Sequence, residues 1–242
     1  MNLLKYVLFA VLIPLFLGSC KQKSSETDIL TVVDRALDVS IQQSLLMVDA
    51  LNNRPGELPK TTNEQGELET CQPSWWVSGF FPGQLWYLYE FTNDTSLKVA
   101  AEAMTARVEN QQFNASTHDV GFIIYCSYGN GYRITHRPDY LQVIQNAART
   151  LSTRYNPRIG SIRSWDSAPW SSQWQFPVII DNMMNLELLS FASIEFSIPE
   201  YRKMIDSHAQ NSMNHHYRDD FSCFHVVSYD TLSGEVEKRQ TS

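Results

Sequence analysis

Two aspartates in this sequence stand where a carboxylate could take part in acid-base chemistry. Asp119 lies in the string HDVGF at 118–122, and Asp181 begins the string DNMMN at 181–185. Each follows a loop that carries aromatic residues and precedes an apolar segment with helical spacing. Proton transfer to a sugar ring requires one carboxyl group that moves the proton and a second group that stabilises positive charge. The two strings are therefore candidates for a site that acts on carbohydrate.

Helix capping is the structural alternative for both aspartates. Asp is among the residues preferred at the N-cap, and its position alone makes a cap the expected role of Asp119. Asp181 follows Ile180 and precedes a methionine-rich turn, so partial burial would raise its pKa, whereas a helix N-terminus would lower it. The sequence leaves the balance between these two effects open.

Other polar and aromatic residues in the same regions could bind a sugar. Tryptophan rings can stack on sugar faces, and the loops contain Trp76, Trp165, Trp170 and Trp174. Because tryptophans more often pack in the core, we expect only one or two of these four to face a ligand. His225 could hydrogen-bond a ligand, although a lone histidine is more often structural, and Arg163 could bind a carboxylate.

The elements that must position these residues are predicted to be helices. Apolar residues recur at helical spacing over roughly 28–52, 79–92, 95–111, 120–134, 138–153, 182–196 and 198–214. Between them, 53–78, 112–119 and 154–181 are predicted as loops, because glycine, proline and irregular spacing interrupt the pattern. No alternation long enough for a multistranded sheet precedes residue 222. The predicted class is all-α.

Composition and charge limit the classes of protein and partner. The chain is 43% hydrophobic and 12% aromatic, enough for the core of one large domain. Its net charge of −7 and the absence of a basic run argue against a nucleic-acid partner. After Cys20 only Cys71, Cys126 and Cys223 remain, without CxxC spacing, so neither a disulfide framework nor a metal site is predicted.

The first twenty residues are typical of a bacterial lipoprotein signal. Lys5 precedes an apolar run at 6–17, which is shorter than the roughly 20 residues needed to span a bilayer. The string LGSC ending at Cys20 resembles a lipobox. We predict a signal peptide at 1–19, a lipidated Cys20 with a tether to residue 27, and a location in the periplasm or cell envelope. An ordinary secretory signal is the alternative.

Near the C-terminus the pattern changes to that of a β-hairpin. Residues 222–229 read SCFHVVSY, the turn at 230–234 contains a glycine, and residues 235–237 form the second strand of the predicted hairpin. The chain then ends at Ser242 without a further helix. We therefore expect that 28–242 is the N-terminal portion of a longer domain.

Five motifs together carry a resemblance to a known family. They are WVSGFFPG at 76–83, HDVGF at 118–122, SYGN at 127–130, RSWD at 163–166 and IDNMMN at 180–185. In this order they resemble the unsaturated glucuronyl hydrolases, glycoside hydrolase family 88. The resemblance implies an (α/α)6 toroid of six helical hairpins, incomplete in this chain, with a small β-hairpin inserted near its C-terminus.

The resemblance also implies roles for individual residues. Asp181 would be the general acid/base, and Asp119 the second carboxylate that assists it. The sugar site would contain Trp76, His118, Trp165 and His225.

The implied substrates are oligosaccharides, of glycosaminoglycan type, whose non-reducing end is a 4,5-unsaturated uronate left by a polysaccharide lyase. The implied reaction adds water to the C4=C5 enol ether and needs neither a cofactor nor a metal. Two alternatives stay open. One is hydrolysis of unsaturated rhamnogalacturonan ends, and the other is a surface lipoprotein that binds uronate oligosaccharides without converting them.

Overall fold

The structure is a computed structural model that describes residues 28–241. The predicted signal peptide at 1–19 and Cys20 with its tether lie outside these residues. The chain divides into two compact units, Met1–Val39 and Ser40–Ser242. The described residues of the first unit form the beginning of the first helix. All site residues discussed below belong to the second unit.

Helices make up most of the described chain, which confirms the predicted class. They are α1 (Ile29–Ala50), α2 (Phe80–Thr92), α3 (Thr95–Ala106), α4 (Val120–Ile124), α5 (Asn130–Thr135), α6 (Pro138–Ser152), α7 (Asn182–Glu195) and α8 (Pro199–His216). A π-helical turn at Tyr125–Gly129 joins α4 to α5. The predicted helix over 95–111 ends early, because a separate 3₁₀ turn occupies Glu109–Phe113.

Within residues 28–241, seven short strands form three small antiparallel sheets. They are β1 (Leu58–Thr62), β2 (Leu68–Cys71), β3 (Tyr155–Asn156), β4 (Ser161–Ile162), β5 (Pro177–Ile179), β6 (Val226–Tyr229) and β7 (Val236–Gln240). β1 pairs with β2, β3 with β4, and the third sheet has the order β5-β6-β7.

Two segments that were predicted as loops contain strands. The 53–78 segment contains the β1–β2 hairpin, and 154–181 contains β3, β4 and β5. These strands are two to five residues long, too short for an alternating pattern to stand out in the sequence. The β6–β7 hairpin was predicted and is confirmed. Its turn closes through Asp230, whose carboxylate accepts the amides of Leu232 and Ser233 at 2.8 and 2.7 Å.

The helices that carry site residues pack closely through small residues. All five residues of α4 are buried. A side chain at Gly79, which immediately precedes α2, would overlap the carbonyl oxygen of Ile123 in α4. A Cβ at Gly83, one turn further along α2, would lie 2.6 Å from the carbonyl oxygen of Cys126. Larger residues at either glycine would therefore push α2 away from the helix that follows Asp119.

Several polar groups are held inside this packing. Trp86 is fully buried and donates its indole N–H to the Thr105 hydroxyl at 2.9 Å. His208 of α8 is also fully buried, and its Nδ1 accepts the amide N–H of Ile162 at 3.0 Å. Because Nδ1 is the acceptor, the proton of the neutral His208 ring is on Nε2. The carbonyl of the same Ile162 accepts the side-chain amide of Asn182, 2.7 Å away, so His208 supports the start of α7.

Burial of His208 should make stability depend on pH. Burial, with smaller effects of His118 and His216, lowers the His208 pKa to about 3. Below the ordinary histidine pKa the unfolded chain binds a proton that the folded chain does not, so stability is lost as the pH falls. We expect a slope of up to about 1.4 kcal/mol per pH unit between roughly pH 6 and 4 from this group.

The matched variant is His208→Asn, whose side-chain oxygen can accept the Ile162 amide but does not titrate. Urea unfolding at a series of pH values should show a shallower slope for this variant than for the wild type. Equal slopes would contradict the assignment of His208 as a neutral buried group.

Candidate active site

Both aspartates occupy the N-cap position of a helix, yet neither caps it. Asp119 precedes α4 and Asp181 precedes α7, and neither side chain accepts a hydrogen bond from its own helix. Asp94 shows the contrast, because its carboxylate accepts the amide of Ser96 at 2.8 Å at the start of α3. The capping role expected of Asp119 is therefore wrong, and both carboxylates are available for other contacts.

Asp119 is held by its two preceding residues. One carboxylate oxygen, Oδ2, accepts the Thr117 hydroxyl at 2.7 Å, and the other, Oδ1, lies 3.0 Å from Nε2 of His118. The Asp119 side chain is 20% exposed, whereas His118 is 2% exposed. The carboxylate therefore reaches the site while the imidazole supports it from the protein side.

Asp181 is half-buried and its Oδ1 has no hydrogen-bond partner among the described residues. Burial raises the pKa of Asp181, and the neighbouring Asp119 raises it further, while His118 and His225 lower it. Burial is the largest of these effects, so the net shift of the Asp181 pKa, which the sequence left open, is upward. A carboxyl group with a raised pKa and an unbonded oxygen is suited to donate a proton.

Strand pairing brings His225 beside Asp181. β5 pairs with β6 so that Ile179 lies opposite Val226, and the amide of Ile180 donates to the carbonyl of His225 at 3.0 Å. Asp181 follows one residue later along the chain. The three-stranded sheet thus places a histidine from the C-terminal hairpin next to the carboxyl group that precedes α7.

A short bridge joins the Asp119 segment to the Trp165 segment. Thr117 and Trp165 form an isolated antiparallel bridge, and the His118 amide donates to the Ser164 carbonyl at 2.9 Å. The Ser164 hydroxyl in turn accepts the amide of Ile179 at 2.9 Å. Ser164 therefore connects the loops that lead to both aspartates.

Behind this bridge lies Arg154, whose side chain is 4% exposed. Its guanidinium donates to the carbonyl of Ala115 and, at 2.8 Å, to the carbonyl of Arg163. It also lies 3.2 Å from a carboxylate oxygen of Asp166. The planar fork of arginine holds both loops at once, a geometry that lysine could not reproduce.

These segments enclose a cavity of about 710 Å³. All six predicted residues line it. Its walls are Ser74, Trp75, Trp76, Asn114, Ser116, Thr117, His118, Asp119, Ser164, Trp165, Ile179, Asp181 and His225. Trp75 and Trp76 are each nearly half exposed. Flat apolar rings beside two carboxylates and a histidine form a surface suited to a sugar with an acid-labile bond.

Among the candidates whose side chains the structure describes, two lie outside this cavity; the side chain of Trp170 is not among those described. Arg163 donates to the Gln175 carbonyl at 3.2 Å and lines a separate cavity with Arg154. Trp174 is buried beneath the ammonium group of Lys238. Thr117 and Ser164 also line the cavity, and neither was predicted. A hydroxyl two residues before a loop aspartate was a usable signal for Thr117, but the role of Ser164 depends on strand pairing.

Within residues 28–241, no group of three or more His, Cys, Asp or Glu side chains is arranged to hold a metal ion. Cys71, Cys126 and Cys223 are free and partly exposed rather than buried. Over the same residues, no helix is both long and apolar enough to cross a bilayer.

Comparison with known proteins identifies similar chains. No protein-family model matches the sequence. An "Unsaturated glucuronyl hydrolase" of Formosa agariphila is 47% identical over 169 residues, which is 69% of this chain and 41% of the relative. An "Unsaturated chondroitin disaccharide hydrolase" of Streptococcus pyogenes is 28% identical over 213 residues, which is 86% of this chain and 52% of the relative.

The fold has solved counterparts. A crystal structure of an unsaturated glucuronyl hydrolase specific for heparin matches with a TM-score of 0.78 and 43% identity, over 86% of this chain and 56% of the other. The chain thus spans about half the length of the relatives it matches. The described helices correspond to part of an (α/α)6 toroid, as the sequence resemblance implied.

Proposed function

This chain belongs to the family of unsaturated glucuronyl hydrolases, and on that premise we propose that the protein removes a 4,5-unsaturated uronic acid from the non-reducing end of lyase-generated glycosaminoglycan oligosaccharides. One observation carries the proposal. Two aspartates at N-cap positions do not cap their own helices and line one cavity, and the pKa of one of them, Asp181, is raised.

The first chemical step uses Asp181 as an acid. The C4=C5 bond of the unsaturated uronate is an enol ether, so the electron pair of that bond can take the Asp181 proton at C4. Positive charge then develops at C5 and is shared with the ring oxygen. Burial keeps Asp181 protonated to a higher pH than an exposed aspartate, which supports this role.

The second step uses the same residue as a base. Asp181, now a carboxylate, accepts a proton from water while the water oxygen bonds to C5. Asp119 lies close enough to raise the pKa of Asp181, so its negative charge also favours the cation that forms at C5. The product at C5 is a hemiketal. Ring opening to the ketone leaves a hemiacetal at C1 that releases the remaining oligosaccharide.

The other cavity residues support binding. His225 can hydrogen-bond a polar group of the uronate beside Asp181, and Trp76 and Trp165 offer apolar ring surfaces to the sugars. We assign His118 to the sugar site as well, acting mainly through Asp119, since its Nε2 is 3.0 Å from that carboxylate.

Absorbance spectroscopy tests the function directly. The conjugated double bond of an unsaturated uronate absorbs in the ultraviolet, and hydration removes it. The protein should abolish this absorbance with disaccharides made by lyases from chondroitin, heparin or hyaluronan. The matched control is the same disaccharides carrying a saturated uronate, from which no sugar should be released.

The outcomes separate the candidate activities. Absorbance loss only with unsaturated rhamnogalacturonan ends would replace the proposed substrate class with that of the related activity. Binding of unsaturated disaccharides by a folded protein, measured by calorimetry and without absorbance loss, would overturn catalysis in favour of a sugar-binding lipoprotein.

We also propose export and lipid anchoring, with a signal peptide at 1–19, lipid on Cys20, a tether to residue 27 and a domain over 28–242. The LGSC string and the apolar run at 6–17 support this proposal. In a bacterial host the wild type should partition into detergent and incorporate labelled palmitate, while Cys20→Ser should do neither. Equal labelling of both proteins would contradict the anchor.

A further inference from the structure

The start of α4 has a cap, but the cap comes from another helix. Phe122 is the third residue of α4, and its amide is one that the side chain of the N-cap residue Asp119 would ordinarily accept. That amide donates instead to Oδ1 of Asn185, at 2.9 Å. Asn185 belongs to α7, 63 residues away along the chain.

The contact is tightly enclosed. Asn185 is fully buried, and a side chain at Gly121 would overlap its amide group. Glycine at 121 therefore lets Asn185 approach the first turn of α4. Because the acceptor is neutral and fixed by packing, the amide of Phe122 is satisfied without any contribution from the adjacent carboxylate.

We propose that Asn185 is a positioning residue that caps α4 in place of Asp119 and thereby keeps the Asp119 carboxylate turned toward the cavity. Asn185 also ties α4 to α7, the two helices that begin at the two aspartates. It therefore sets both the direction of Asp119 and its separation from Asp181. The proposal extends the proposed function. Only its kinetic test depends on that function, because the exchange test needs no activity.

At the start of α7 backbone carbonyls, not a side chain, accept the first amides. The amide of Met184, at the equivalent position of α7, donates to the backbone carbonyl of Asp181 at 2.9 Å, and the amide of Met183 donates to Ile180 at 3.2 Å. Backbone turns thus satisfy α7, whereas α4 depends on a side chain from α7. Loss of the Asn185 side chain should consequently affect Asp119 more than Asp181.

Three variants test this role. Asn185→Ala removes the acceptor, Asn185→Asp keeps an oxygen at the same place, and Leu189→Ala opens a cavity one turn further along α7 while keeping the Asn185 side chain. Leu189 is fully buried, so its variant controls for loss of stability.

Hydrogen exchange of the Phe122 amide gives a readout that does not require activity. Relative to the other core amides of the same variant, we expect Phe122 exchange to be faster by roughly tenfold in Asn185→Ala, and close to the wild-type ratio in Asn185→Asp and Leu189→Ala. An unchanged rate in Asn185→Ala would overturn the capping role even if the protein has no hydrolase activity.

Kinetics then test the consequence for Asp119. In Asn185→Ala the carboxylate is free to turn and cap Phe122, so kcat should fall by roughly a hundredfold with KM nearly unchanged. Leu189→Ala should be less stable yet retain kcat. A loss of kcat in Leu189→Ala equal to that in Asn185→Ala would mean that Asn185 acts only through stability. An inactive wild type with the expected exchange pattern would instead contradict the proposed function.

Discussion

Asp181→Asn is expected to lower kcat by roughly a thousandfold to ten-thousandfold on unsaturated disaccharides, because one residue both donates the proton to C4 and accepts a proton from water. The amide neither donates an acidic proton nor accepts one, while its size is nearly the same. Absorbance loss under saturating substrate measures the effect. Retention of more than a tenth of kcat would assign the proton transfer to another group.

The same substitution should stabilise the protein. Burial raises the pKa of Asp181 in the folded state, so its contribution to stability is present at low pH and is lost as the pH rises through the raised pKa. At neutral pH the asparagine variant should thus be more stable than the wild type, with a higher Tm. An inactive variant with a higher Tm distinguishes a chemical role from a folding defect.

Asp94 provides a matched control for this result. It also precedes a helix, but its carboxylate accepts the Ser96 amide and caps α3. Asp94→Ala should lower the stability of the protein and retain kcat. If Asp94→Ala reduced kcat as strongly as Asp181→Asn, general destabilisation would explain both.

Asp119→Asn is expected to reduce kcat by roughly a hundredfold or more, because a negative charge near the cation formed at C5 is lost. It should also change the pH dependence. Asp119 raises the pKa of Asp181, so without that charge the pKa of Asp181 falls. In a plot of kcat/KM against pH, the limb on the high-pH side falls because Asp181 loses its acidic proton. This limb should consequently move to lower pH.

The pH profile of kcat/KM checks this second effect, since it reports ionisations of the free enzyme. Thr117→Val serves as a milder companion, because it removes the hydroxyl bonded to Asp119 at 2.7 Å but keeps the charge. We expect Thr117→Val to reduce kcat without a comparable shift of the limb. A limb that stays in place in Asp119→Asn would show that the two carboxylates do not interact electrostatically.

Most helices could be predicted from local sequence patterns, but the short strands that position the site could not. The periodicity of α6 places Tyr140, Ile144 and Leu151 on one buried face, and that pattern is local in the chain. The strand β5 has only three residues and pairs with β6 about fifty residues later, as Val178 lies opposite Val227. Its existence depends on that partner, so no local window could indicate it.

Apart from the early end of α3 and the π-helical turn between α4 and α5, the sequence by itself determined the helix boundaries to within about two residues. It also determined the terminal hairpin and the identity of the two aspartates that precede α4 and α7. These depend on contacts between residues close in the chain, such as side-chain spacing and turn chemistry. Only the tertiary structure decided that neither aspartate caps its helix. The Phe122 amide that Asp119 would cap is bonded to Asn185 of α7, and the segments packed around Asp181 bury it and raise its pKa. Both are properties of packing between distant segments, which the order of residues alone does not reveal.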